Sequence, residues 1–129
     1  MRFLLEFILS EVEIQEFMKY KIKSRIWIEA DNKVLIGEGR VRLLKAIEET
    51  GSLSKAARSI QISYKKAWTM LDAVNKSAKN PVTESSTGGK GGGGAVLTTY
   101  GKELIKAFEA INKNCWEHLD SQIEKINSL

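Results

Sequence analysis

The chain has 129 residues, of which 43% are apolar and 28% charged, with a net charge of +4; this is the make-up of one soluble globular domain and excludes a disordered or fibrous chain. A single cysteine (Cys115) leaves no internal disulfide, and a single histidine (His118) removes most triad and metal-centre chemistry. Enzymes are therefore disfavoured, and no catalytic residue, metal ligand or cofactor is expected.

Met1–Leu9 opens with a base and an apolar run, but Glu6 interrupts it and no small-residue cleavage site follows. No apolar stretch approaches the roughly 20 residues of a membrane span. A cytoplasmic protein without membrane contact is expected. Residues 1–17 carry one base and four acids, and Leu4, Phe7, Ile8 and Val12 recur at roughly helical spacing. They are expected to form an N-terminal extension with helical character, unless Met18 is the true start.

From Ile22 to Ile28 apolar and charged residues alternate, the period of a half-buried strand. Asp31-Asn32-Lys33 supplies turn chemistry and Val34–Ile36 can return, which makes a β-hairpin. Gly37 and Gly39 then break the pattern ahead of a helix over Arg40–Thr50 that ends at Gly51. Ser52 or Ser54 can cap a short helix holding Ala56, Ala57 and Ile60, and Ser63 caps a third helix running to about Ser77. Pro81 closes this block. Val82–Ser86 and Ala95–Leu97 are strand-competent on either side of the glycine run Gly88–Gly94. A last helix is expected from Thr99 to about Asn127, about 40 Å long at 1.5 Å per residue.

Three helices followed by strand, glycine loop and strand is the order of a winged helix-turn-helix. With Ala67 at 0° and 100° per residue, Leu71 falls at about 40° and Val74 at about −20°, an inward face. Lys65, Thr69 and Asp72 then fall at about 160°, 200° and 140°, away from the core, so Lys65 and Thr69 are free to enter a major groove. Trp68, near 100°, either closes the edge of the core or touches DNA sugar or a thymine methyl. Residues 52–102 carry eight bases against Asp72 and Glu84, the electrostatic footprint of a nucleic-acid surface, although a solvated basic face would look the same. Ser54, Lys55, Ser63, Tyr64, Lys65, Lys66, Trp68 and Thr69 are the candidate DNA contacts.

Lys90, within Thr87–Gly94, is the remaining candidate, placed on a hairpin tip to reach a phosphate or the minor groove. A Walker-type phosphate cradle would need Ser or Thr after that lysine and a helix beyond it, whereas Gly91 and strand formers follow. A tip without function is the third reading.

Three strings, Gly51-Ser-Leu-Ser-Lys-Ala-Ala57, Ile62-Ser-Tyr-Lys-Lys-Ala-Trp68 and Thr87-Gly-Gly-Lys-Gly-Gly-Gly-Gly-Ala-Val-Leu-Thr-Thr-Tyr-Gly101, resemble the DNA-binding half of the molybdate-responsive transcriptional regulators of ModE type. The resemblance covers about residues 20–125. It implies an α+β winged helix-turn-helix related to the LysR-type domain, binding of operator duplex DNA, and a homodimer. Family members that sense molybdate carry C-terminal oxyanion-binding domains beyond the position of Leu129, so no molybdate binding is expected from these residues alone. The expected organisation is an extension over 1–17, a winged domain over 18–102 and a dimerisation helix over 103–129. The dimer seam would run along Leu104, Phe108, Ile111, Cys115, Leu119 and Ile126, with Gln122 beside it. A winged-helix adaptor that assembles proteins without reading DNA is the alternative; the lack of any acid from Gly51 to Leu71 weighs against it.

Overall fold

The computed structural model describes residues 20–86 and 94–129. The expected helix over 1–17 and the wing tip with Lys90 lie outside the described residues. Two compact units are present, Ile26–Ala110 and the terminal segments up to Arg25 and from Ile111 onward. Among the described residues, no helix is long and apolar enough to cross a membrane.

The larger unit begins with the hairpin β1 (Trp27–Ala30) and β2 (Lys33–Gly37), paired antiparallel from Trp27↔Gly37 to Ala30↔Lys33. Asp31 and Asn32 both have positive φ, 51° and 65°, the two-residue turn whose twist matches the strands and which Asp and Asn tolerate. The ladder is shorter than the alternation suggested. Burial alternates along residues 21–30, but pairing starts only at Trp27 because β2 ends at Gly37, where the next helix begins. The register slips between Ile28 and Glu29, leaving Leu35 as the extra residue of a bulge. The Arg40 guanidinium donates to both carbonyls at this point, those of Val34 and Leu35, and partial burial draws its pKa down from the ordinary arginine value.

Helix α1 (Glu38–Thr50) starts two residues before the expected Arg40, taking Gly39 into its first turn. It ends in left-handed Gly51 (φ 74°), whose N–H returns to Ile47 O at 2.8 Å. Ser52 caps the short α2 (Leu53–Ser59), its Oγ accepting from Lys55 N at 3.1 Å; Ser54 lies inside the helix. Between α2 and α3 (Tyr64–Ser77), Gln61 takes a left-handed φ of 59°. Gln61 N bonds Arg58 O and Ile62 N bonds Ala57 O, the paired closure that usually employs glycine. Ser63 caps α3, accepting from Lys66 N at 3.0 Å.

The wing is β3 (Thr83–Ser86) paired with β4 (Gly94–Leu97). Ala95 N bonds Gly51 O at 2.9 Å, tying the returning strand to the end of α1. A Cβ on Gly94 would lie 2.0 Å from Ser86 Oγ and 3.3 Å from Gly51 O, so a side chain here would displace the Ser86 hydroxyl and crowd the end of α1. The following Leu-Thr-Thr-Tyr-Gly string has a physical reading at each fixed point. Leu97 enters the core, and the Thr98 hydroxyl donates to Pro81 O and accepts from Gly101 N, capping the next helix. Gly101 lets that helix approach the backbone of Val82, whose carbonyl would be 2.3 Å from an added Cβ.

The core joins Ile36 of β2, Val41, Leu43, Leu44 and Ile47 of α1, Ala56 and Ala57 of α2, and Ala67 and Val74 of α3. Val82, Leu97, Ile105 and Phe108 complete it. The four buried alanines, Ala46, Ala56, Ala57 and Ala67, let the helices approach closely, while the larger residues fill the space between them.

Helix α4 spans Thr99–Gln122 and α5 Glu124–Asn127. The single long helix expected here is thus interrupted at Ile123, where Ile123 N bonds Asp120 O and Ile126 N bonds Ile123 O, a tighter i to i−3 spacing. In the smaller unit Ser24 Oγ lies 3.9 Å from Cys115 Sγ, and Tyr20, Ile22, Trp116 and Ile123 line a groove of about 630 Å³.

Candidate nucleic-acid interface

Helix α3 is built to present one face. Ala67 and Val74 are buried and Leu71 half-buried, which fixes its rotation on α1 and α2. The N-terminal two turns then expose Tyr64, Lys65, Lys66, Trp68 and Thr69 together, with Ser63 exposed at the cap and Ser54 and Lys55 exposed on α2. Trp68 does not close the core edge; it is 51% exposed. Thr69 Oγ1 donates to Lys65 O at 2.9 Å, so its oxygen retains only acceptor capacity beside the methyl group.

The electrostatics follow from the same segment. Gly51–Leu71 holds Lys55, Arg58, Lys65 and Lys66, all exposed, and no acid. The first carboxylate along α3, Asp72, is paired one turn later with Lys76 at 2.8 Å. Elsewhere Lys45 meets Glu109 at 2.8 Å, and the bond to Glu109, its charge, and the nearby Glu49 and Glu48 raise the lysine pKa. That pair is half-exposed and contributes little to stability. Among the described residues no group of His, Cys, Asp or Glu could hold a metal ion.

Two features lay outside the sequence reading. The β1–β2 turn borders the C-terminal half of α3, where Asp31, Lys33, Arg40, Thr69, Asp72 and Lys76 line a cleft of about 580 Å³. No local pattern announces that neighbour, because it depends on how β2 packs against a helix some 40 residues later in the chain. Asn75 is the second: its Oδ1 accepts from Val82 N at 2.7 Å and its Nδ2 donates to Thr83 Oγ1 at 3.2 Å, joining α3 to the base of the wing. Its position two residues before the end of a polar helix stretch was the only available signal.

The expected dimer seam is divided by the structure. Phe108 is 2% exposed and Leu104 packs on the same core, because the first turns of α4 close the winged unit. Phe108 is therefore committed to its own chain and not to a free seam, while Leu104 is half-buried at the edge of the core. Further along, Ile111 and Ile126 are 48% and 44% exposed, and Cys115 and Leu119 are half-buried.

No family model matches the chain. Individual relatives do. The chain is 42% identical over 86 residues to the transcriptional regulator ModE of Haemophilus influenzae, covering 67% of this chain and 34% of the relative. It is 40% identical over 84 residues to the DNA-binding transcriptional dual regulator ModE of Escherichia coli K12, covering 65% of this chain and 32% of that one. It is 46% identical over 92 residues to the molybdenum-pterin-binding protein MopB of Rhodobacter capsulatus, covering 71% and 34%. The chain therefore spans only a minor part of the length of the curated relatives it matches. The three motif strings, the capped second helix with its wing, and these identities agree: the chain carries a winged helix-turn-helix domain of the kind found in the N-terminal part of ModE-type regulators.

Proposed function

We propose that this chain is a sequence-specific transcription regulator that docks α3 in the major groove of duplex DNA. The observation that carries the reading is the acid-free, exposed face formed by Lys65, Lys66 and Thr69 on a helix whose rotation is fixed by buried Ala67 and Val74, with exposed Lys55 on the preceding helix. A capped N-terminus that enters the groove brings the first two turns against base edges, and the flanking lysines against phosphates. Ser63 and Tyr64 stand at that entering end and Ser54 and Lys55 at the preceding helix; Lys90 remains the candidate phosphate contact from the glycine run. The relative named as a DNA-binding regulator supports the same reading.

In this reading the protein acts as a homodimer without catalytic activity, and binds DNA without molybdate. Pairing along Ile111, Cys115, Leu119 and Ile126 covers the apolar part of the last helices left open to solvent. The test is a duplex selected from a random pool by the 129-residue chain, titrated over a range of salt. Affinity falls with a slope of about −0.9 in log–log terms for each phosphate neutralised. Salt-insensitive affinity, or no duplex binding at low salt, overturns the reading.

A further inference from the structure

Tyr64 and Trp68 are 56% and 51% exposed and lie one turn apart at the start of α3. With Ala67 at 0°, they fall at about 60° and 100°, next to Lys65 at about 160° and Thr69 at about 200°. The two rings thus form an apolar strip continuous with the polar face, and exposed apolar surface of this kind marks a contact.

The surroundings select the occupant. Lys65 is exposed next to the rings, Lys55, Arg58 and Lys66 are exposed in the same segment, and no acid occurs between Gly51 and Leu71. A polyanion complements that basic segment. Within a duplex the bases are stacked, so ring faces are closed and only base edges line the major groove. The one apolar group on those edges is the C5-methyl of thymine. A single strand would open the ring faces to stacking, but a capped, rotationally fixed helix fits a groove edge.

We infer that Trp68, with Tyr64 beside it, determines specificity by packing on a thymine C5-methyl. This rests on the duplex-binding reading above and adds which base chemistry α3 reads. The test replaces each thymine of the selected duplex with deoxyuridine, which removes the methyl and leaves base pairing intact. The wild-type chain loses about fourfold in affinity at one or more thymines, the equivalent of one buried methyl. Trp68→Ala shows no such loss at that position, and Trp68→Phe restores it. Unchanged circular dichroism shows that Trp68→Ala is folded. Equal sensitivity to deoxyuridine in wild type and Trp68→Ala, no sensitivity in the wild type, a selected site lacking thymine, or tighter binding of single strands each overturns the inference. Failure to bind any duplex at low salt would instead sink the duplex-binding reading, and this inference with it.

Discussion

The side chain of Asn75 satisfies a backbone donor that has no alternative. Val82 is fully buried, and its N–H is taken up by Asn75 Oδ1 at 2.7 Å. Replacing Asn75 with Ala leaves that donor unpaired in the core, at a cost of about 1–3 kcal/mol. A lowered denaturant midpoint with an unchanged slope is the expected outcome of chemical unfolding. Lys65 and Thr69 behave in the opposite way. Both are exposed, so Lys65→Ala and Thr69→Ala leave stability within about 0.5 kcal/mol of the parent. Specific binding weakens instead, by about 1–3 kcal/mol where a base contact is lost, with relaxed preference at one position. Parental affinity in both variants would exclude the docking of α3 proposed here. The same residues were legible in the sequence because buried Ala67, Leu71 and Val74 set the rotation of a helix whose start Ser63 marks. Asn75 was not, since an asparagine in a polar helix end gives no sign of a partner seven residues on.

At the scale of elements, the turn between α2 and α3 sets the angle at which the recognition helix is presented. Its closure places Gln61 at φ 59°, a region in which a residue with a Cβ costs about 1–2 kcal/mol relative to its right-handed form. Gln61→Gly relieves that strain, offset in part by the greater freedom of glycine in the unfolded chain. A net gain of about 0.5–1 kcal/mol, read as a raised Tm, is expected with DNA affinity unchanged. The sequence placed this turn correctly between Ile60 and Ser63 but carried no glycine to reveal its left-handed residue. The hairpin shows the complementary limit. Its turn at Asp31-Asn32 is local chemistry and was legible, whereas the length of its ladder was set by where β2 gives way to α1.

For the whole molecule, the proposed homodimer turns on which part of the last helices stays open to solvent. Ile111 and Leu119 lie beyond the turns that close the winged core, while Leu104 and Phe108 lie within them. Ile111→Glu with Leu119→Glu is therefore expected to produce monomers in analytical ultracentrifugation while the winged unit stays folded. Binding of a palindromic site weakens in the same variant, because two recognition helices about 34–36 Å apart are needed to read adjacent half-sites on one DNA face. A wild-type monomer at micromolar concentration that still binds such a site tightly would break this coupling. Phe108→Glu, by contrast, unfolds the domain, since it places a charge in a position only 2% exposed.

The sequence by itself determined the class and order of the elements, the caps at Ser63 and Gly51, the inward and outward faces of α3, and the family resemblance. These are local properties: periodicity, capping chemistry and short motifs act within one or two turns of chain. Only the tertiary structure decided that Trp68 stays in solvent, that Phe108 belongs to the core with Leu104 at its edge, that the β1–β2 turn borders α3, and that Asn75 holds the wing. Each of those depends on which apolar stripe wins a place in a shared core and on what packs across it. A helix seam such as that of α4 is continuous in sequence, but among its described residues the fully buried ones lie in the turns that meet Val82 and the winged core.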